Sequence, residues 1–208
     1  MLYDKDIREP LFDFLEEAYG KLRIIEEKQV GKSRADIVMV LPGLLTGIEI
    51  KSDADSYVRL SRQVKDYDRF FDRNMVVAGS SHAAHVREHV PGWWGIITVE
   101  QNDREIDFYV LRQLQENPMM NWKRKLSLLW RPELAHIQEL TAMPRYKEKS
   151  KAFVIEKILA KVPGEQLSVL VSEELFERDY TRIEEVIRAY KIQNRPELKG
   201  RTGKRRRP

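Results

Sequence analysis

Ala35-Asp36-Ile37-Val38-Met39-Val40-Leu41-Pro42-Gly43-Leu44-Leu45-Thr46-Gly47-Ile48-Glu49-Ile50-Lys51 is an apolar run, a turn signal and a second run that alternates. Pro-Gly between two strand-like segments marks a tight turn. The spacing predicts strands over 35–41 and 47–52. In the second, Glu49 and Lys51 project from one face and Ile48 and Ile50 from the other, because side chains alternate along a strand. A hairpin centred on Pro42-Gly43 sets Asp36 opposite Glu49, with a slip of a residue or two if Leu44–Thr46 lengthen the loop. Two carboxylates then meet at one end of a sheet, beside an ammonium.

Outward from this hairpin the chain reads as an α/β layer. Upstream, Ile7, Leu11, Phe14, Leu15 and Ala18 fall at helical spacing. Asp6 with Glu9 resembles a capping box. Pro10 is tolerated only near a first turn, so the helix is expected to begin close to Asp6 and to end at Gly20. A strand is expected over 22–28. Downstream, Leu60, Val64, Tyr67 and Phe71 mark a helix over 55–71. Strands follow over 75–78 and 95–99, with an edge strand over 106–111 and a helix over 82–89 between. Beyond Asn117-Pro118 the chain reads helical, over 131–140, 151–161, 167–177 and 182–190, the last with a Thr181/Glu184 box. The expected division is a core over 1–117, a helical region over 118–195 and a basic, disordered tail over 196–208.

Composition narrows the classes. The 208 residues contain no cysteine, which excludes disulfides and cysteine-ligated metal and fits a reducing, cytoplasmic setting. The most apolar stretch, 37–50, is too short to span a membrane. Net charge is +4. Lys199, Arg201, Lys204, Arg205, Arg206 and Arg207 supply all of that excess. Without residues 199–208 the body holds 31 basic and 33 acidic residues, a net of −2. Attraction to phosphate in the body is therefore local, and the tail is the candidate for general contact with nucleic acid.

Asp36, Glu49 and Lys51 suit phosphodiester hydrolysis. Neighbouring carboxylates repel unless a cation lies between them. Mg2+ favours a few carboxylates with water and phosphate oxygens. Lys51 is placed to hold the attacking water and to stabilise charge at phosphorus. Glu-x-Lys by itself means little, since it occurs at Glu26/Lys28, Glu49/Lys51 and Glu197/Lys199. The apolar strand, the hairpin and the matching acid separate the second from the others.

The order helix, hairpin with Asp36, Glu49-x-Lys51, helix resembles the PD-(D/E)XK nuclease superfamily, whose core is restriction-endonuclease-like. Gln63-Val64-Lys65-Asp66-Tyr67 matches the Q-x-x-x-Y helix of its RecB-type members. Arg34-x-Asp36, Gly47-x-Glu49-Ile50-Lys51-Ser52-x-x-Asp55, Arg59-Leu60-x-x-Gln63, Tyr67, His82 and Pro91-x-Trp93-Trp94-Gly95 are similar to a small bacterial and phage family of such nucleases. The resemblance covers about residues 4–140. It implies Mg2+ or Mn2+ on Asp36 and Glu49 with the Ile50 carbonyl, and Lys51 as base or water-positioner. It also implies an upstream acid, for which Glu27 matches best and Glu26 and Glu9 are rivals.

Several residues carry two readings. Gln63 and Tyr67 lie one turn apart and either serve Lys51 and DNA or are surface and core-edge residues. Asp55 and Arg59 continue that face. Arg34 contacts phosphate or forms an ordinary ion pair. His82, His85 and His89 have a spacing that suits a metal, with capping or surface roles the favoured alternative. Trp93-Trp94 stacks bases or, the favoured reading, packs over a sheet edge. The C-terminal helices either read DNA or simply pack on the core. The leading expectation is a metal-dependent deoxyribonuclease, with a homodimer left open. The alternatives are a non-catalytic DNA-binding module on a nuclease-like scaffold and a structural adaptor.

Overall fold

The computed structural model describes residues 2–102, 105–179, 185, 189, 190 and 192. The helix expected over 182–190 lies mostly outside the described residues, and its Thr181–Glu184 box and the tail over 196–208 lie wholly outside them.

Six strands form one mixed sheet in sequence order: β1 (Arg23–Val30), β2 (Ser33–Leu41), β3 (Leu44–Lys51), β4 (Arg73–Gly79), β5 (Gly95–Asn102) and β6 (Glu105–Arg112). The first three form an antiparallel meander. The pairs β3–β4 and β4–β5 are parallel, and β6 returns antiparallel at the far edge. Helix α2 (Leu60–Phe70) crosses over between β3 and β4, as a parallel pair requires. Helix α1 (Asp4–Tyr19) covers one face: its Ile7, Leu11 and Leu15 pack with Ile37, Met39, Ile48, Ile50, Met75 and Val77. On the other face α2 supplies Leu60, Val64 and Tyr67. That face is shared with α4 (Trp122–Ser127), α5 (Arg131–Leu140), α6 (Lys151–Lys161) and α7 (Gly164–Phe176), through Leu126, Ile137, Ile155 and Val171. The unbroken apolar run Ile37–Leu41 reflects a strand buried on both faces.

The Pro42-Gly43 turn signal predicts the β2–β3 hairpin correctly. Leu41 pairs with Leu44, so Pro42-Gly43 is the whole turn, with Gly43 at a φ of 73°. Leu44–Thr46 belong to β3 and do not lengthen the loop. Two expectations are corrected at α1. The helix starts at Asp4, and the Asp6 carboxylate accepts the Tyr3 N–H at 3.0 Å, so Asp6 closes the first turn rather than opening it. Pro10 consequently lies inside the helix. Residues 82–89 do not form one helix: a four-residue α3 (Ser80–Ala83) gives way to a 3-10 turn at Val86–Glu88. Helix α4 escapes the sequence reading because it is only six residues long.

Polar contacts tie the layers together. The buried Lys125 ammonium on α4 bonds both Asp72 oxygens at 2.7 and 2.8 Å, and Asp72 also accepts the Leu45 N–H. Asp68 Oδ1 accepts the indole N–H groups of Trp93 and Trp94 and the Asn74 amide. Trp94 is fully buried, so it packs, as expected, and cannot stack on a base.

Candidate functional site

Strand pairing between β2 and β3 runs down to Ile37 opposite Ile48 and then stops. Asp36 and Glu49 are the next residues in register, where the strands part. The freed Ile50 N–H is taken by Asp36 Oδ2 at 2.8 Å, so the carboxylate replaces a lost backbone acceptor. Among the described residues, no hydrogen bond is made to Asp36 Oδ1.

Glu49 and Lys51 share the face turned to α2, as alternation requires. Their side chains are 1% and 4% exposed. Lys51 Nζ donates to Glu49 Oε1 at 2.7 Å and to Gln63 Oε1 at 3.2 Å. The Gln63 amide donates to the same Glu49 oxygen. Tyr67, one turn further along α2, donates its hydroxyl to Glu49 Oε2 at 2.6 Å and accepts the Asp36 N–H at 3.1 Å. The helical pair Gln63/Tyr67 therefore fixes the glutamate from both sides. A glycine permits it: a Cβ on Gly47 would come within 2.3 Å of the Phe71 ring and 2.8 Å of the Tyr67 ring. The missing side chain lets α2 press against β3.

Burial raises the Asp36 carboxyl to about 7, and the Glu49 charge adds to that. The Ile50 N–H and Lys51 oppose the shift without cancelling it. Burial also raises the Tyr67 hydroxyl well above 10, helped by the Glu49 and Asp36 charges, which keeps it a donor. The Asp36 carboxylate thus faces Glu49 with too little positive charge nearby to offset its burial.

Asp36, Glu49, Ile50, Lys51 and Gln63 line a cleft of about 500 Å³. Across it, Arg34 is exposed and ion-paired to Glu27 rather than to Asp36. Asp55 turns back to accept the Ser52 N–H at 2.9 Å and hydroxyl at 2.8 Å. Arg59 lies on the wall. Glu27 lies on the cleft wall, whereas Glu26 and Glu9 do not.

The sequence reading missed four charged residues on this wall: Asp4, Arg8, Lys32 and Arg62. Arg8 on α1 reaches Asp4, Glu26 and Glu27 at 2.6, 2.9 and 2.8 Å and the Asp36 carbonyl at 3.4 Å. Burial works against its charge, but Asp4, Glu26 and Asp36 more than compensate and raise its pKa. The Asp4/Arg8 spacing of one helical turn was a visible signal; the reach to β1 was not. Lys32 is set by Asp66, whose Oδ2 accepts the Lys32 N–H at 3.1 Å and the Ser33 hydroxyl at 2.7 Å. Gly31 at the same turn has a φ of 60° and leaves room for that carboxylate.

The three histidines do not gather. His82 Nε2 lies 3.1 Å from the Asp55 carbonyl, His85 pairs with Glu88, and His89 stacks on Tyr57 at 4.0 Å. The break between α3 and the 3-10 turn destroys the spacing that a single helix would give. Among the described residues, no group of three or more His, Cys, Asp or Glu is close enough to hold a metal. None of the described helices is long and apolar enough to cross a membrane.

Comparison with known proteins gives two further findings. Over 101 residues the chain is 28% identical to protein cII of Enterobacteria phage P4; the match covers 49% of this chain and 38% of that relative's length. A solved structure of Pyrococcus furiosus SfsA in complex with Ca2+ aligns over 53% of this chain and 62% of that one, at 17% identity and a TM-score of 0.34, too low to establish a common fold. The family model of Bacteriophage P4 protein cII matches residues 1–195, nearly the whole chain, and the chain belongs to that family.

Proposed function

We propose that the chain is a divalent-cation-dependent nuclease with a PD-(D/E)XK, restriction-endonuclease-like core, hydrolysing phosphodiester bonds of DNA. The observation that carries this reading is the register: Asp36 and Glu49 come together where β2 leaves β3, with Lys51 bonded to Glu49. The residues fit Mg2+ or Mn2+. Asp36 Oδ1 makes no hydrogen bond among the described residues, the pair is short of positive charge, and all donors are hard oxygens. Asp36 and Glu49 would hold the ion, with the Ile50 carbonyl. A cation held there supplies Lewis-acid polarisation of phosphate and a more acidic bound water.

The chain's own groups do the rest. Lys51 is ion-paired, and an ammonium has no lone pair, so its role is to position water and neutralise charge at phosphorus rather than to act as base. Water oxygen attacks phosphorus and gives up a proton to solvent, the bond from phosphorus to the leaving sugar oxygen breaks, and that oxygen takes up a proton from solvent. Gln63 and Tyr67 hold Glu49 in one rotamer, which is pre-organisation of a ligand. Lys32, Arg59 and Arg62 make no ion pair among the described residues and line the cleft, where they would meet flanking phosphates.

The test is incubation with labelled single- and double-stranded DNA and RNA in Mg2+, Mn2+ or EDTA. Cleavage of DNA with either ion and none with EDTA is the expected result. Saturable DNA binding without cleavage under every condition would instead make the chain a binding module.

A further inference from the structure

Three cations gather beside Trp130, at the edge of the sheet. Lys28 stands on the edge strand β1 between Glu27 and Gln29, which both line the cleft. Its side chain turns to Trp130, with Nζ 5.8 Å from the ring centroid, and makes no hydrogen bond among the described residues. Arg131 and Lys151 are the first residues of α5 and α6. Arg131 gives one terminal nitrogen to the Tyr146 carbonyl at 3.0 Å and leaves the other without a hydrogen-bond partner. Lys151 Nζ donates to the Ser127 carbonyl at 2.7 Å. A fourth cation, Arg178, stacks on Trp130 at 3.7 Å and is paired with Glu133 through bonds of 2.7 and 2.6 Å. Glu133 is thus engaged by Arg178, while Lys28, Arg131 and Lys151 make no ion pair among the described residues.

Burial pushes the Lys28 ammonium down to about 8; Arg178 and Lys151 push the same way, and Glu133 opposes them without prevailing. Burial lowers Lys151 too, with Arg178 and Arg131 adding to the shift and Glu133 opposing it. A cation in the first turn of a helix also meets the positive end of the helix dipole. The fold therefore holds these charges together against their mutual repulsion, which an anion set among them would relieve.

We propose that Lys28 and Lys151, backed by the charge of Arg131, form a second phosphate-binding point, which takes a backbone phosphate of nucleic acid continuing past the cleft over the β1 edge. The identity of this ligand rests on the nuclease reading. Ammonium groups on flexible stems meet phosphate oxygens as point charges, so the contact positions the backbone and carries no sequence preference.

The test is fluorescence anisotropy of a labelled duplex of about 20 base pairs, which at roughly 3.4 Å per pair extends well beyond the cleft. The full chain is titrated in EDTA, so that nothing is cleaved, over a range of salt. Lys28→Met, which keeps the stem over Trp130, and Lys151→Gln should each weaken binding about three- to tenfold at low salt and lower the slope of log affinity against log salt by about 1. Lys28→Arg keeps the charge and should bind as wild type does. Lys28→Met should also melt no lower than wild type, because it removes a charge that its neighbours repel; a merely structural lysine would lower the melting temperature and leave the slope alone. If Lys28→Met does not fold, Lys151→Gln carries the same comparison. Equal affinity and slope in wild type and the folded Lys28→Met/Lys151→Gln double variant overturn the proposal. Calorimetry with inorganic phosphate separates the sources: phosphate binding that the double variant loses, with duplex affinity unchanged, would assign the site to a small phosphate and overturn the nucleic-acid assignment. The nuclease reading fails separately, if wild type cleaves no DNA in Mg2+ or Mn2+, and the comparison in EDTA keeps its meaning.

Discussion

Asp36 couples the fold to the chemistry in one side chain. It caps the Ile50 N–H where two strands part, and it carries a charge that burial and Glu49 disfavour. Its carboxyl is raised from 3.8 to about 7, so the folded chain binds this proton more tightly than the unfolded chain. Folding stability then falls as pH rises between those two values and levels off above the upper one. The full difference is on the order of 4 kcal/mol at most, from ~1.4 kcal/mol per pKa unit. Asp36→Asn keeps an acceptor for Ile50 and removes the charge. Without divalent ions, its melting temperature should match wild type near pH 4 and exceed it by several degrees at pH 8. Parallel curves across that range would show that Asp36 is not perturbed. At this scale the sequence was informative where a turn set the register: Pro42-Gly43 alone puts Asp36 opposite Glu49. It offered Glu27 as an upstream acid but not its left-handed backbone or its two arginine partners, which depend on α1 and β2 being in place.

Among the elements, α2 does most to organise the site. One of its faces carries Gln63 and Tyr67 to Glu49, and Asp66 holds the β1–β2 turn. The Gln/Tyr spacing was legible because one helical turn separates them. The close approach of α2 to β3 was not, since nothing local marks Gly47 as the contact point. Gly47→Ala should force the Phe71 and Tyr67 rings outward and cost about 1–3 kcal/mol, as overpacking does. Urea unfolding measures the loss, and the displaced Tyr67 hydroxyl should weaken Mn2+ affinity in parallel. A neutral substitution would mean that helix and strand are looser than these contacts. The histidine segment gave the opposite lesson. The spacing of His82, His85 and His89 suits a metal only on a continuous helix, and the chain turns between Ala83 and Val86.

For the whole molecule the question is where phosphate attraction resides. The body without residues 199–208 is net negative, yet the cleft wall gathers Lys32, Arg59 and Arg62 without ion-pair partners among the described residues. Each phosphate contact adds about 0.9 to the slope of log affinity against log salt for duplex DNA. Deleting residues 199–208 should lower that slope by up to roughly 5, and replacing the three cleft cations with alanine by up to roughly 3. Duplex affinity measured from low to high salt separates the two. An unchanged slope after tail deletion would assign the contacts to the folded body alone. The central claim, that Asp36, Glu49 and Lys51 hydrolyse a phosphodiester, is tested most directly by single-turnover cleavage of labelled DNA in Mg2+. Wild type is compared with Asp36→Asn, Glu49→Gln and Lys51→Met, each shown to be folded. The account predicts cleavage by wild type and at least a hundredfold loss in every variant. Cleavage by purified Glu49→Gln at the wild-type rate would contradict it.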